Sequence, residues 1–285
     1  MFSDAVAKLI ERAETSLPSD VVDALERALQ SEEDGVARIQ LDAILKNIKF
    51  AGEGKIPVCQ DTGLMKFYLR IGADSGIDLE TIKDSILEGV RTATKEIPLR
   101  PNSVHPLNRE NSGDNTGQGI PSMELEVISG EEYMEVTVFP KGAGSENMTF
   151  FRMLSPSGGI KAIKGFVLEK VAEAGGNPCP PIVVGVGVGG TAEDSLKLSK
   201  RALLRKIGSE NEDREIAKLE RSLLEDINNL GIGPMGLGGK TTALGVNIEY
   251  SFCHTASLPL AVSIGCWAIR RATMRIYGDR TEFLE

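Results

Sequence analysis

Pro57-Val58-Cys59-Gln60-Asp61-Thr62-Gly63 sets a thiol, a carboxamide and a carboxylate side by side where the pattern of the chain changes. Before it, apolar residues recur at helical spacing. After it, Met65, Phe67, Leu69 and Ile71 alternate with Lys66, Tyr68 and Arg70, the period of a strand. A cysteine in such a loop, followed at once by hydrogen-bonding side chains, is poorly placed to fill a core. It is well placed to hold a metal with a reactive acid beside it, so the rest of the chain is read for partners to that thiol.

Upstream, Val6, Leu9 and Ile10 form one apolar stripe, broken at Pro18 and Ser19. Val21, Val22, Leu25, Ala28 and Leu29 form a second, and Ile39, Leu41, Ile44, Leu45 and Ile48 a third. Downstream, Ile82, Ile86 and Val90 mark a further helix. From Arg100 to Pro121 the chain turns polar, with His105 expected at the surface, and this long loop is taken as a border. The division is therefore a mainly helical lobe, residues 1–115, and a mixed α/β lobe, residues 116–285. The expected class is α+β, a helical N-terminal lobe followed by a mixed α/β lobe with a central sheet.

The second lobe opens with an expected hairpin, Met123, Leu125 and Val127 facing Val136 and Val138 across Ser129-Gly130. Lys141-Gly142-Ala143-Gly144-Ser145-Glu146-Asn147 then reads either as an anion-binding nest of backbone N–H groups or as a plain glycine turn. A helix is expected from Gly159 to Ala174. Beyond it Cys179 sits between Pro178 and Pro180, a rigid display that suits a metal ligand better than a packing residue. Ile182 to Val188 is a buried strand turning into a helix capped by Thr191. Its Gly185, Gly187 and Gly190 satisfy G-x-G-x-x-G, the basis for an alternative reading as a nicotinamide-dependent oxidoreductase. The acidic residue that should end a second strand is missing. Glu210 and Glu212 fall instead in a charged helix–helix connection, Ser209 to Glu215.

A long amphipathic helix follows, with Ile216, Leu219, Leu223, Leu224 and Ile227 inward. The run from Gly231 to Thr241 resembles a P-loop but has Pro234 where the first glycine belongs, and a strand-like pattern follows it. Lys240 offers a charge to an anionic ligand or is simply solvated. His254, at the end of that strand among small polar residues, stands where active-site groups often lie. Arg270, Arg271 and Arg275 read most simply as a solvated helix face.

Composition bounds the function. With 285 residues, 41% hydrophobic and 26% charged, the chain has the make-up of an ordinary globular protein with a sizeable core. A net charge of −9 argues against nucleic acid or an anionic membrane as partner. No apolar run is long enough to span a bilayer, and the start lacks a signal-peptide pattern, so a cytoplasmic location is the default. The four cysteines, Cys59, Cys179, Cys253 and Cys266, include no C-x-x-C pair, which speaks against structural zinc. Buried inert thiols, a catalytic thiol, or a cluster site built from distant loops remain.

Taken together and in order, several segments resemble class I fumarate hydratases and, equally, the α subunit of L-tartrate dehydratase. They are Cys59 to Gly63, Leu99-Arg100-Pro101-Asn102, Lys141 to Asn147, Asn177-Pro178-Cys179-Pro180-Pro181, Gly189-Gly190-Thr191, Gly239 to Ala243 and His254 to Trp267. The resemblance runs along nearly the whole chain and absorbs the glycine-rich strand. It implies a [4Fe-4S] cluster held by Cys59, Cys179 and Cys266, with one iron lacking a protein ligand, and leaves Cys253 as a structural thiol. On a small dicarboxylate that iron acts as Lewis acid for adding or removing water, fumarate to L-malate first and L-tartrate to oxaloacetate next. Asp61 is the candidate for part of the acid–base work, with a threonine of the expected β subunit as the other part. Gln60, Arg100, Lys240 and the Gly142, Ala143 and Gly144 backbone are the candidates for binding substrate. His254 either hydrogen-bonds substrate or orients Asp61. Ala143 departs from the commoner glycine of the pattern. Single-chain relatives continue into a further C-terminal domain, so the resemblance implies a separate β subunit and an α homodimer within an α2β2 assembly. A non-catalytic binding or scaffold protein of the same ancestry is the remaining possibility.

Overall fold

The computed structural model describes residues 2–278 and 280–284. In chain order the elements are α1 (Phe2–Thr15), α2 (Ser19–Ser31), α3 (Gly35–Gly54), β1 (Leu64–Gly72), α4 (Leu79–Glu96), β2 (Ser122–Ile128) and β3 (Met134–Lys141). There follow the short α5 (Ala143–Glu146), β4 (Thr149–Leu154), α6 (Gly159–Ala174), β5 (Ile182–Val188), α7 (Ala192–Ala202) and α8 (Arg214–Asn228). The chain ends in β6 (Ala243–Tyr250), β7 (Leu258–Gly265), β8 (Ala272–Tyr277) and β9 (Arg280–Leu284). Helices come first and a mixed α/β region after them, the expected α+β class. By contacts the chain forms two units: Met1–Ser19, Asn47–Ala143 and Arg270–Glu285 in the first, Asp20–Lys46 and Gly144–Ile269 in the second.

The first unit is built on a five-stranded sheet of order β2-β1-β3-β8-β9. Val6, Leu9, Ile10 and Ala13 of α1 and Ile82, Ile86 and Val90 of α4 pack on Phe67, Leu69 and Ile71 of β1, with Val136 and Val138 of β3. Asp78 caps α4 by accepting the N–H groups of Glu80 and Thr81. The expected hairpin is not formed. β1 lies between the two strands, parallel to β2 with Phe67 opposite Met123, and antiparallel to β3 with Phe67 opposite Val138. The reason is burial: β1 is more apolar than β2 and takes an interior place, while Leu125 and Val127 of β2 stay exposed at an edge.

The arginines correct a second expectation. Ala272, Met274 and Ile276 alternate with Thr273, Arg275 and Tyr277, so this segment is a strand, not a helix face. Arg275 there pairs with Glu135 of β3 at 2.9 Å, and Arg270 is buried.

The second unit is built on a four-stranded sheet of order β4-β7-β5-β6, with β5 parallel to β6 and antiparallel to β7. Phe166, Val167 and Val171 of α6 and Leu219, Leu223 and Ile227 of α8 pack against Val184 and Val186 of β5 and Val262 of β7. Thr191 caps α7 in a reciprocal box with Asp194. The glycines of the G-x-G-x-x-G pattern are explained by α7. A Cβ on Gly185 would lie 2.2 Å from the Ser199 carbonyl oxygen, and one on Gly187 would lie 2.0 Å from that of Ser195. Both stand inside β5, where they admit a helix to close approach; they are not the phosphate-facing glycines of a dinucleotide turn. In α3, Leu41 and Ile44 are buried but Ile39 is 65% exposed. At about 100° per residue, Ile39 points nearly opposite Leu41, so only part of that stripe is core.

Candidate active site

In the first unit the site is organised by Asp61, in the loop between α3 and β1. Its Oδ1 accepts the Gly63 N–H at 2.9 Å and the Asn102 side-chain N–H at 2.8 Å, and its Oδ2 accepts the Ala143 N–H at 2.7 Å. A carboxylate offers roughly four acceptor positions, so three bonds fix its orientation and leave one for a proton. Gly142 makes this approach possible: a Cβ there would lie 2.7 Å from Asp61 Oδ2. The Ala143 N–H, a candidate nest donor, is thereby given to Asp61.

Asn102 is itself held. Asn115, 3% exposed, accepts the Asn102 backbone N–H at 2.7 Å and donates to Thr94 Oγ1 of α4 and to the Arg100 carbonyl. The polar loop from Arg100 onward therefore contains buried side chains, Ser103, Asn115 and Thr116, which its composition concealed. Arg100 and Gln60 are exposed, Cys59 is half-buried, and Thr62 is buried. His105 is at the surface as expected.

Beneath the loop lies an ion pair. Glu14 of α1 and Arg270 are fully buried, with Arg270 Nη1 2.5 Å from Glu14 Oε2. Arg270 Nη2 donates to the Asp61 carbonyl at 2.8 Å, and the Glu14 carbonyl accepts the Val58 N–H at 2.8 Å. Burial raises the Glu14 carboxyl to about 7; Arg270 opposes the rise and the charge of Asp61 adds to it.

In the second unit, Cys179 takes a positive φ of 55° on its proline-flanked loop, and its carbonyl accepts the Trp267 N–H at 3.2 Å. That bond brings the Cys179 loop beside the residue following Cys266, and both thiols are half-buried. None of Cys59, Cys179, Cys253 and Cys266 is in a disulfide. Cys253 is exposed, its thiol 3.2 Å from the Ser257 carbonyl oxygen. Among the described residues no three His, Cys, Asp or Glu side chains form a group suited to a single metal ion. His254 lies exposed in the loop after β6, its Nδ1 accepting the Ala256 N–H at 3.1 Å. Lys240 is anchored through its backbone N–H to Glu32 and through Nζ to Glu33, both at 2.7 Å. The Lys240 partner holds the exposed Glu33 carboxyl below its ordinary value. Gly144 begins the longer stretch of the second unit and is exposed.

Sequence reasoning missed Glu14, Asn102 and Arg270 as supports of the site. A signal existed for Glu14: it continues the Val6, Ile10 spacing of α1, so a carboxylate falls on the apolar face and requires a buried partner.

Residues 3–275 match the family model described as fumarate hydratase (Fumerase). Among curated proteins, the chain is 53% identical to "Putative L(+)-tartrate dehydratase subunit alpha" of Methanocaldococcus jannaschii, over 97% of this chain and 98% of that one. It is 35% identical to the L(+)-tartrate dehydratase subunit alpha of Escherichia coli K12, over 98% of this chain and 92% of that one. The same figures hold for the subunit of that name from Shigella sonnei.

Proposed function

The chain belongs to the fumarate hydratase family, and we propose that within it the protein is the α subunit of an iron–sulfur hydro-lyase acting on small dicarboxylates. The observation that carries this reading is Asp61: two residues from Cys59, fixed by three N–H donors, with room to take one proton. L(+)-tartrate is the first substrate to test, since the curated relatives bear that name; fumarate and L-malate, from the family description, are the second.

Cys59, Cys179 and Cys266 are assigned to a [4Fe-4S] cluster. The donor set fits: each thiol stands on a loop, half-buried and in no disulfide, and two of the loops are joined by the Trp267 N–H. Such a cluster binds each thiolate to a different iron, so it does not need the tight grouping that one ion demands. When bound, it supplies a Lewis-acid iron without a protein ligand for the substrate hydroxyl and carboxylate.

The remaining work falls to side chains. Arg100, exposed and making no hydrogen bond or ion pair through its guanidinium among the described residues, grips a substrate carboxylate with its planar fork. Gln60 and the Gly142 and Gly144 backbone bind further oxygens. Asp61 takes part in removing or returning the proton on the carbon next to the one that bears the leaving hydroxyl. His254 accepts at Nδ1, which leaves Nε2–H to donate to a substrate oxygen. Lys240 can serve an anion only by giving up Glu33. A separate β subunit completes the site, in an assembly that contains an α homodimer. A reducing cytoplasm suits thiols held in no disulfide.

The test is anaerobic reconstitution with iron and sulfide, followed by assay on L-tartrate and L-malate with and without the β partner. Cys59→Ser, Cys179→Ser and Cys266→Ser each abolish cluster absorbance, while Cys253→Ser retains it. Full absorbance in the first three variants would refute the ligand assignment, and no turnover of either diacid by the assembled enzyme would refute the reaction.

A further inference from the structure

We propose that Glu14 and Arg270 are positioning residues, a buried brace that sets the Asp61 loop from below; the proposal rests on the acid–base role given to Asp61. The two residues are 256 positions apart in the chain, yet their side chains meet at 2.5 Å with 0% and 2% of their surface exposed. Arg270 uses two arms for two purposes. Nη1 holds the Glu14 carboxylate, and Nη2 donates to the Asp61 carbonyl at 2.8 Å. Glu14 in turn accepts the Val58 N–H through its own backbone carbonyl at 2.8 Å. One pair thus grips the loop on both sides of Cys59-Gln60, at residue 58 and at residue 61.

A pair that served only to hold α1 against its neighbours would be poorly designed. Glu14 Oε1 and Arg270 Nε are buried with no hydrogen-bond partner, so part of the desolvation cost is left uncompensated. Two apolar side chains of similar volume would join the same surfaces without that cost. What they could not do is hold the Asp61 carbonyl. The backbone at Asp61 must be fixed for its side chain to meet three donors from three places: Gly63 beside it, Asn102 in the polar loop and Ala143 after β3. Guanidinium presents two arms in a fixed planar fork, one to the carboxylate and one to the carbonyl; an ammonium is a point charge on a flexible stem and lacks that fixed geometry.

The test uses the assembled, reconstituted enzyme. Arg270→Lys keeps the charge and loses the second arm. Glu14→Leu with Arg270→Met removes the ion pair and the bond to the Asp61 carbonyl while filling the space and leaving the backbone bond of Glu14 to Val58, and so guards against a variant that merely fails to fold. For both, the expected result is a fall in kcat of about tenfold or more with KM within threefold and iron content unchanged. Hydrogen exchange should rise about tenfold in residues 57–63 and 142–144, with the amides of β1 and α4 unaffected. Exchange in those two segments and kcat both within twofold of the parent would overturn the proposal. So would exchange raised equally through β1 and α4, which marks a general clamp on the fold. Asp61→Asn separates the two levels: if it keeps the parent kcat, the role of Asp61 fails, and the brace is then judged by the exchange of its loop.

Discussion

Gly142→Ala is the most direct probe of how Asp61 is held. An ideal Cβ at this position stands 2.7 Å from Asp61 Oδ2 and 3.2 Å from its Cγ, against an ordinary contact of about 3.4 Å. Gly142 does not use the left-handed backbone, so alanine adds no strain of its own. The new methyl must therefore displace the tip of the Asp61 side chain, by roughly half an ångström or more. That motion breaks the 2.7 Å bond from the Ala143 N–H. A hydrogen bond to a charged group contributes roughly 1.5–3 kcal/mol, which becomes about a 10- to 150-fold loss in rate when the lost orientation is needed in the transition state. The assay is steady-state turnover of L-tartrate by the reconstituted α–β enzyme, beside a thermal melt. The expected outcome is a fall of that size in kcat with a melting temperature close to the parent. A kcat within twofold of the parent would refute the reasoning. A raised KM with kcat intact would also refute it, and would place Gly142 in substrate binding alone.

Other perturbations have defined outcomes. Asn115→Ala removes the bonds to Asn102, Thr94 and Arg100, and should cost about 2–4 kcal/mol in chemical denaturation and lower kcat through Asn102. Gly187→Ala forces a methyl to within 2.0 Å of the Ser195 carbonyl oxygen; overpacking of about 1–3 kcal/mol or more should appear as a lowered denaturation midpoint. Glu14 gives a pH signature. Its carboxyl is raised by burial from 4.5 to about 7, so between these values the folded chain binds more protons than the unfolded one and stability falls as pH rises. The full change is on the order of 3 kcal/mol. Glu14→Gln should flatten the stability profile between pH 4.5 and 7, and a profile unchanged by that substitution would discount the raised carboxyl.

Local patterns were legible where one element decides its own conformation. The stripe of α1, the alternation of β1, the capped start of α7 and the inward face of α8 all stand where their periodicity places them. Pairing was not legible. Nothing in the spacing of Met123 and Val136 reveals that β1, more than 50 residues upstream, enters between their strands. Arg275 illustrates the same limit. Its charge suggested a solvated face, but its environment is a cross-strand carboxylate at Glu135, contributed by a distant segment. The first unit is assembled from three separated stretches, and its polar contacts join residues that sequence distance makes unrelated. Cys266 was assigned through the resemblance alone; Cys59 and Cys179 stood out because a thiol between prolines, or two residues from an aspartate, is unusual by itself. Asn102 and Arg270 did not, because their roles exist only in relation to Asp61.

The acid–base role proposed for Asp61 also accounts for why its supports come from so many places. A carboxylate in a loop has two side-chain torsions and a mobile backbone, and a general base must keep its acceptor within hydrogen-bond reach of the proton it takes. One extra donor would fix a torsion but not the chain that carries it. Here the side chain is oriented by Asn102, Gly63 and Ala143, and the backbone by Arg270. Each of these groups is in turn restrained: Asn102 by the buried Asn115, and Arg270 by the buried Glu14. Such layering predicts that single losses are graded while paired losses are coupled. Removing Asn115 and Arg270 together should then cost less kcat than the sum of the separate losses, because once Asp61 is free to move, a second release adds little. Strictly additive losses in a double-mutant cycle would mean that the two supports act on different steps.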